Sequence, residues 1–296
     1  MPDYLFAVTS AILWALSVPI ISIGINRPTD GDRRSHVLAG LMISMVSGAA
    51  ALSLVVIILD QPLSINLELA LAGLFTFPLA TGVYYFSGVA LRGRADIAAL
   101  FSKVKPLFSV ALAVLVLNET MDAGMAVSLT FIATGTVMLI LSSLSRTVNV
   151  SGVLLGLVTA LFWAIGEFFM KTGMMDTHPI AANLSALTIG AILFSPFAVR
   201  PLFSVFRSRH GLMSLWPFLL HGIISFGIAY SFFFFSLERI GLGRTILINA
   251  FWPILGILIT ALIRVLTKKR LELHPLVLLA ALLLLCGSLL QAASVQ

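Results

Sequence analysis

The sequence predicts an all-α integral membrane protein, with ten transmembrane helices forming two inverted five-helix repeats around a central cavity. Three observations predict this: the composition, the spacing of the apolar runs, and an internal echo accompanied by alternating loop charge. Of the 296 residues, 59% are hydrophobic and 10% charged, against roughly 25% charged in soluble domains. A soluble core of this length has no use for so much apolar surface. In a bilayer only helices and closed barrels satisfy their own backbone. The long unbroken apolar runs fit helices, not the alternating strands of a barrel.

Ten runs near the ~20 residues needed to cross can be laid out, at about 4–25, 37–59, 67–91, 95–117, 122–143, 151–173, 180–199, 215–237, 242–263 and 274–293. The connections are short. The start, Met1-Pro2-Asp3, lacks the basic region of a cleaved signal peptide. The single cysteine, Cys286, lies in an apolar run and reads as a structural thiol. The net charge of +6 sits in loops, where it sets topology, and is no sign of a nucleic-acid partner.

Span one places Ser10, Trp14 and Ser17 on one helix face, before Pro19; packing and a cavity role are both open to them. Span two carries Gly40, Ser44, Ser47 and Gly48, small residues that let helices approach. Span three has Pro78 and the adjacent Tyr84 and Tyr85, one of which can face a cavity. Span four organises the chain. It carries Ser102, Lys103, Lys105 and Pro106 near its middle, where each lysine costs ~2.5–3.5 kcal/mol on insertion scales. Pro106 removes a backbone donor and is a candidate hinge. Ser102, Lys105 and Ser109 share a face, whereas Lys103, two residues from Lys105, points elsewhere on a regular helix. The spacing therefore selects Lys105 for the cavity. The structural alternative is that Lys103 or Lys105 pairs with a buried acid such as Glu167.

Span five, with Thr130, Thr134 and Gly135, reads as packing. Span six aligns Trp163, Glu167 and Lys171 along one stripe. Glu167 is the candidate for proton or ion coupling, and a plain Glu167–Lys171 pair is the competing reading. Span seven holds Asn183, Ser185 and Thr188. In span eight, His221 lies near an end and reads as a structural histidine. The run Phe232 to Phe235 reads as lipid contact and packing. Span nine aligns Thr245, Asn249 and Trp252 before Pro253, the second candidate hinge. Span ten is leucine-rich scaffold or dimer surface.

The halves, 4–143 and 151–293, echo each other. Trp14 falls on Trp163 within similar septets, and Pro106 falls on Pro253; Gly135 and Gly287 lie late in the last span of each half. With five spans per half, the second repeat is inverted. Thirteen Lys and Arg lie in the odd-numbered loops against three in the even-numbered ones, so equivalent loops swap sides. By the positive-inside rule both termini lie outside, in a multi-pass protein of a bacterial inner membrane.

These residues resemble the ten-helix members of the drug/metabolite transporter superfamily with two EamA-type domains. The resemblance spans nearly the whole chain. It rests on the Trp14 and Trp163 helix starts, on Pro106 and Pro253, and on Leu117-Asn118-Glu119, which is similar to the family's hydrophobic-Gly-Glu signature after span four. It implies a basket of helices with spans five and ten peripheral, termini in the cytoplasm, and alternating access, commonly for export of amino acids or related metabolites. The second half departs from the signature, with Lys268-Lys269-Arg270-Leu271-Glu272 in its place.

The expectation is a secondary transporter of small organic solutes, not an enzyme, with no catalytic, metal or cofactor site. Trp14, Tyr84, Ser102, Lys105, Trp163, Asn249 and Trp252 would bind the solute; Thr245 would add a hydrogen bond. Lys105 would meet a carboxylate or phosphate as a point charge. Glu167 would bind a proton or a substrate amine. On this reading Lys105→Ala abolishes transport and leaves folding intact. The alternatives are a carrier of phosphorylated sugars or nucleotide-linked substrates, and a lipid flippase.

Overall fold

The structure, a computed structural model, describes residues 2–26, 32–90, 102–144, 150–208, 211–252, 254–256, 258–259, 262 and 275–295. Pro253 and the basic loop 264–270 lie outside these residues. Among the described residues the chain is all helix, with no strand. Helix α1 spans Tyr4–Asn26 and α2 spans Arg33–Ile58. Helix α3 (Leu67–Leu74) runs through a π-helical segment, Phe75–Thr81, into α4 (Gly82–Ala90). A 3₁₀ turn, Ser102–Val104, opens α5 (Lys105–Leu115). Then come α6 (Ala123–Leu144), α7 (Val150–Gly173) and α8 (Pro179–Phe206). Helix α9 (Trp216–His221) passes through a second π-helical segment, Gly222–Ala229, into α10 (Tyr230–Ile240). Helices α11 (Leu242–Asn249) and α12 (Pro275–Ser294) complete the order.

Eight of the spans are long and apolar enough to cross a membrane. The other two expected spans, four and nine, run into residues outside the description. What is described of them departs from a regular helix in both cases. Span four enters through the 3₁₀ turn. Span nine leaves the α-helix at Asn249, turning at Ala250 and Phe251.

Local chemistry sets several of these boundaries. Asp32 caps α2 by accepting from the Arg34 and Ser35 amides, and Asn66 caps α3 through the Leu69 amide at 2.7 Å; both satisfy donors a helix start leaves open. Pro78 sits inside the first π-helical segment, where its missing donor loosens the ladder. The Thr81 hydroxyl donates to the Thr76 carbonyl five residues back, at 2.9 Å. Pro106 is the second residue of α5, a position where the absent N–H costs nothing. The irregularity of span four thus precedes the proline.

Helix contacts pair the halves. Helix α2 packs on α8, and α6 on α12. The α3–π–α4 span packs on α7 and α8, and α9–π–α10 correspondingly on α1 and α2. Helix α5 packs on α7 as α11 does on α1. Exchanging the halves maps this set of contacts onto itself. Small residues permit the crossings. A Cβ on Gly190 would stand 2.7 Å from the Gly73 carbonyl oxygen, and one on Gly48 would stand 2.8 Å from that of Gly222. Gly135 lies against Ala280 and Leu284, while Gly287 lies against Ser128 and Ile132, so the late glycine of each half seats on the last span of the other.

Candidate functional site

The two irregular segments meet. Ser102, Lys103, Lys105 and Pro106 line a cavity with Asn249, Ala250 and Trp252, with Trp163 between them. Thr136 and Leu284 also reach it, so the outer helices α6 and α12 contribute to its wall. A second cavity adjoins through Lys105, Trp163 and Trp252. It is aromatic: Trp14, Tyr84, Tyr85, Phe226 and Tyr230 line it, with Ser17, Thr81, Ser225 and His221. Trp14 packs edge-on to Tyr230 at 4.9 Å and to Trp252 at 6.4 Å, and Tyr84 lies 5.7 Å from Trp163. The space open within the two cavities is about 20 Å³ and 70 Å³, against the roughly 10–15 Å³ that holds one water.

Ionic chemistry is divided between the two lysines. Lys105 donates to Glu167 Oε1, and the Ser109 hydroxyl donates to the other carboxylate oxygen at 2.9 Å. Glu167 is 0% exposed and Lys105 is 9% exposed. This is a buried pair joining the halves, α5 to α7. Lys171 takes no part in it; its ammonium donates to the Leu237 carbonyl at 2.6 Å. Lys103 does not point elsewhere. Its ammonium lies 4.1 Å from the centre of the Trp252 ring, within the same cavity as Lys105. The face rule for a regular α-helix fails because Ser102–Val104 is a 3₁₀ turn, which changes the angular step between neighbours.

All the solute-contact residues expected from the sequence line one cavity or the other: Trp14, Tyr84, Ser102, Lys105, Trp163, Asn249 and Trp252. Thr245 does not line either; its hydroxyl is engaged with Ser236 at 2.8 Å and with the Gly241 carbonyl at 2.6 Å. Both tyrosines of the pair face the second cavity. His221 does too, with Nδ1 3.1 Å from the Tyr85 hydroxyl. It lies where α9 passes into the π-helical segment.

Loop four is tied to the start of α11. Asn118 has φ +55°, a left-handed conformation that Gly and Asn favour, which accounts for Asn in the Gly position of the signature. The turn aims Glu119 at the start of α11. Its two oxygens accept from the Leu242 amide at 2.7 Å and the Gly243 amide at 2.9 Å. Asp122 accepts from Arg244 at 2.7 Å and caps α6 through Met125. The Met125 amide, and then the Arg244 guanidinium, hold the Asp122 carboxyl below its ordinary value of 3.8. Asn66 of loop two donates to the Gly173 carbonyl at 2.8 Å. Loops two and six, six and eight, and four and eight are therefore tied on one face of the bundle.

The family model for EamA-like transporters matches the sequence twice, over residues 1–141 and 150–290. The chain belongs to the EamA-like transporter family. It is a multi-pass membrane protein. A similar protein is the "Probable amino-acid metabolite efflux pump" of Salmonella typhimurium, 24% identical over 192 residues, which are 64% of this chain and 60% of that protein. The match thus spans less than two thirds of that relative. A solved crystal structure is similar over 97% of this chain and 95% of its own, with a TM-score of 0.71 and 16% identity; at that identity it speaks to the fold alone. In this EamA-like chain the second match reaches its signature region at residues outside the description. The Glu119 clasp is accordingly described for the first half alone.

Proposed function

We propose that this EamA-like protein is a secondary transporter of small organic solutes, amino acids or related metabolites, working by alternating access. The observation that carries this is the aromatic cavity between the two halves, with two lysine side chains brought to it inside the membrane-spanning region. A lysine there is costly, and packing alone gives no reason to keep two. The printed name of the Salmonella relative supports the substrate class. The small open space supports alternating access, because a metabolite enters only if the walls part. The even-numbered loops are tied to one another on one face. The loop charges support placing this face and both termini outside.

The solute would lie against Trp14, Tyr84, Trp163 and Trp252, with Ser102 and Asn249 as hydrogen-bonding neighbours and Pro106 and Pro253 near the moving segments. Glu167 holds Lys105, so a coupling role for it requires that bond to break during the cycle. The test is counterflow in liposomes loaded with unlabelled solute, run across amino acids, organic acids, organic cations and phosphorylated compounds. Accumulation of at least one labelled solute above empty liposomes is expected. No movement of any class would overturn the transport reading and leave lipids as the next panel.

A further inference from the structure

The polar lining of the cavity at Lys103 includes two unpartnered donors beside the hydroxyl residues Ser102 and Thr136. The Trp163 Nε1 and Asn249 Nδ2 atoms are buried and have no hydrogen-bond partner. Both residues line the cavity that Lys103 lines. Asn249 is 1% exposed, and its amide oxygen lies 3.1 Å from the Ser10 hydroxyl, which is also 3.0 Å from the Ala7 carbonyl. A buried donor left unmade costs ~1–3 kcal/mol, so two of them beside one ammonium call for an acceptor.

Charge sharpens the class of that acceptor. Lys105 is neutralised by Glu167. Lys103 has no carboxylate partner among the described residues, and its contact is the Trp252 ring. Helix α11 ends at Asn249, which lines the same cavity as Lys103. Lys103, when protonated, therefore brings to the cavity one positive charge with no carboxylate opposite it among the described residues. A monoanion balances it, whereas a phosphate ester at −1.5 to −2 overshoots. An amine finds no carboxylate open to it. Glu167 is 0% exposed with its oxygens on Lys105 and Ser109, and lysines already approach the Trp14 and Trp252 rings.

We propose that Lys103, Trp163 and Asn249 form the pole that receives the carboxylate of a transported organic acid, with its apolar or aromatic body among Trp14, Tyr84 and Tyr230. The carboxylate has four lone-pair sites for the ammonium, indole and amide donors. Lys103, not Lys105, supplies the charge. This rests on the transport reading above and narrows its substrate.

The experiment uses the full chain in liposomes with L-phenylalanine, 3-phenylpropionate, phenylalaninamide, phenethylamine and phenyl phosphate, reading binding by tryptophan fluorescence and movement by counterflow. 3-Phenylpropionate, the monoanionic carboxylate, should bind at least tenfold more tightly than the amide or the amine, and more tightly than zwitterionic L-phenylalanine, whose ammonium finds no open carboxylate. Lys103→Gln should weaken carboxylate binding about 10- to 100-fold, while Lys103→Arg keeps most of it and both variants retain the parent melting midpoint. Equal carboxylate binding by Lys103→Gln, or preference for the amine, overturns the proposal. Preference for phenyl phosphate overturns the carboxylate class. If these five fail to bind while other solutes move in counterflow, the pole is wrong and the transport reading stands. If nothing moves, both fall.

Discussion

Removing one member of the Lys105–Glu167 pair should unfold the protein before it informs on transport. Glu167 is 0% exposed, and its oxygens are held by Lys105 and Ser109. Lys105→Met would leave that carboxylate buried with one neutral donor. Breaking a buried pair by removing one partner costs about 3–5 kcal/mol, whereas replacing both by apolar residues is often neutral or stabilising. The expected pattern is a large loss in Lys105→Met, a similar loss in Glu167→Met, and recovery in the double variant, so that the coupling in a double-mutant cycle is the sum of the two single losses, about 6–10 kcal/mol. On the soluble-domain scale the single losses correspond to a midpoint drop on the order of 10 °C. The assay is thermal unfolding of purified protein in detergent, followed by tryptophan fluorescence. Single variants melting within about 1 °C of the parent, with the double no different, would refute the reasoning. The outcome also bears on function, because a transport defect in Lys105→Ala reports folding unless the midpoint is unchanged.

The clasp at loop four has a pH signature. The Asp122 carboxyl is held low by the Met125 amide and Arg244; a depressed carboxylate contributes stability above its unfolded value and loses it as pH falls through the folded one. The midpoint should therefore decline below about pH 4, and Asp122→Asn should lower it at pH 7 and flatten that part of the decline; an identical profile in the variant removes the clasp from the stability of this face. At the helix crossings, Gly190→Leu should abolish folded protein on size-exclusion chromatography, because its Cβ alone would stand 2.7 Å from a backbone oxygen. Gly82→Ala, whose Cβ meets nothing nearer than 3.5 Å, should be tolerated; the reverse order would contradict the packing.

How much of this was legible in the sequence depends on whether a regular helix was being read. The spans and the small-residue crossings followed from length and periodicity, because both are properties of straight α-helices. So did the stripes that bring Trp14 and Trp163 to the cavity. Lys103 and His221 did not follow. Lys103 was assigned away from the cavity by a 3.6-residue period that a 3₁₀ turn does not obey. His221 was placed near a helix end, where in the fold it opens a π-helical segment against Tyr85. The Glu167 partner was a matter of which helix lies opposite. The stripe on span six offered Lys171, but its ammonium reaches the Leu237 carbonyl on α10, and Lys105 arrives from α5. Tertiary distance, not spacing, decides such a pair.

The internal repeat shows why the cavity has a direction. Aligning Pro106 with Pro253 sets Ser102 against Asn249, and Lys105 against Trp252; aligning Trp14 with Trp163 sets Val18 against Glu167. The positions that hold an ion pair between α5 and α7 therefore hold tryptophan and valine at the equivalent contact between span nine and α1. Lys105, Trp252 and Val18 all line the second cavity, and Glu167 stands behind Lys105. A two-fold scaffold with equal walls would hold a solute in either orientation. Here one wall is ionic and the other apolar, and Lys103, whose counterpart by the same alignment is Ala250, adds its charge to the ionic side. A solute with one charged end and one apolar end has a single favourable orientation in such a site, and it keeps that orientation if the halves move as rigid bodies around it. Asymmetry in a few side chains, laid on a symmetric backbone, is sufficient to give the site its polarity.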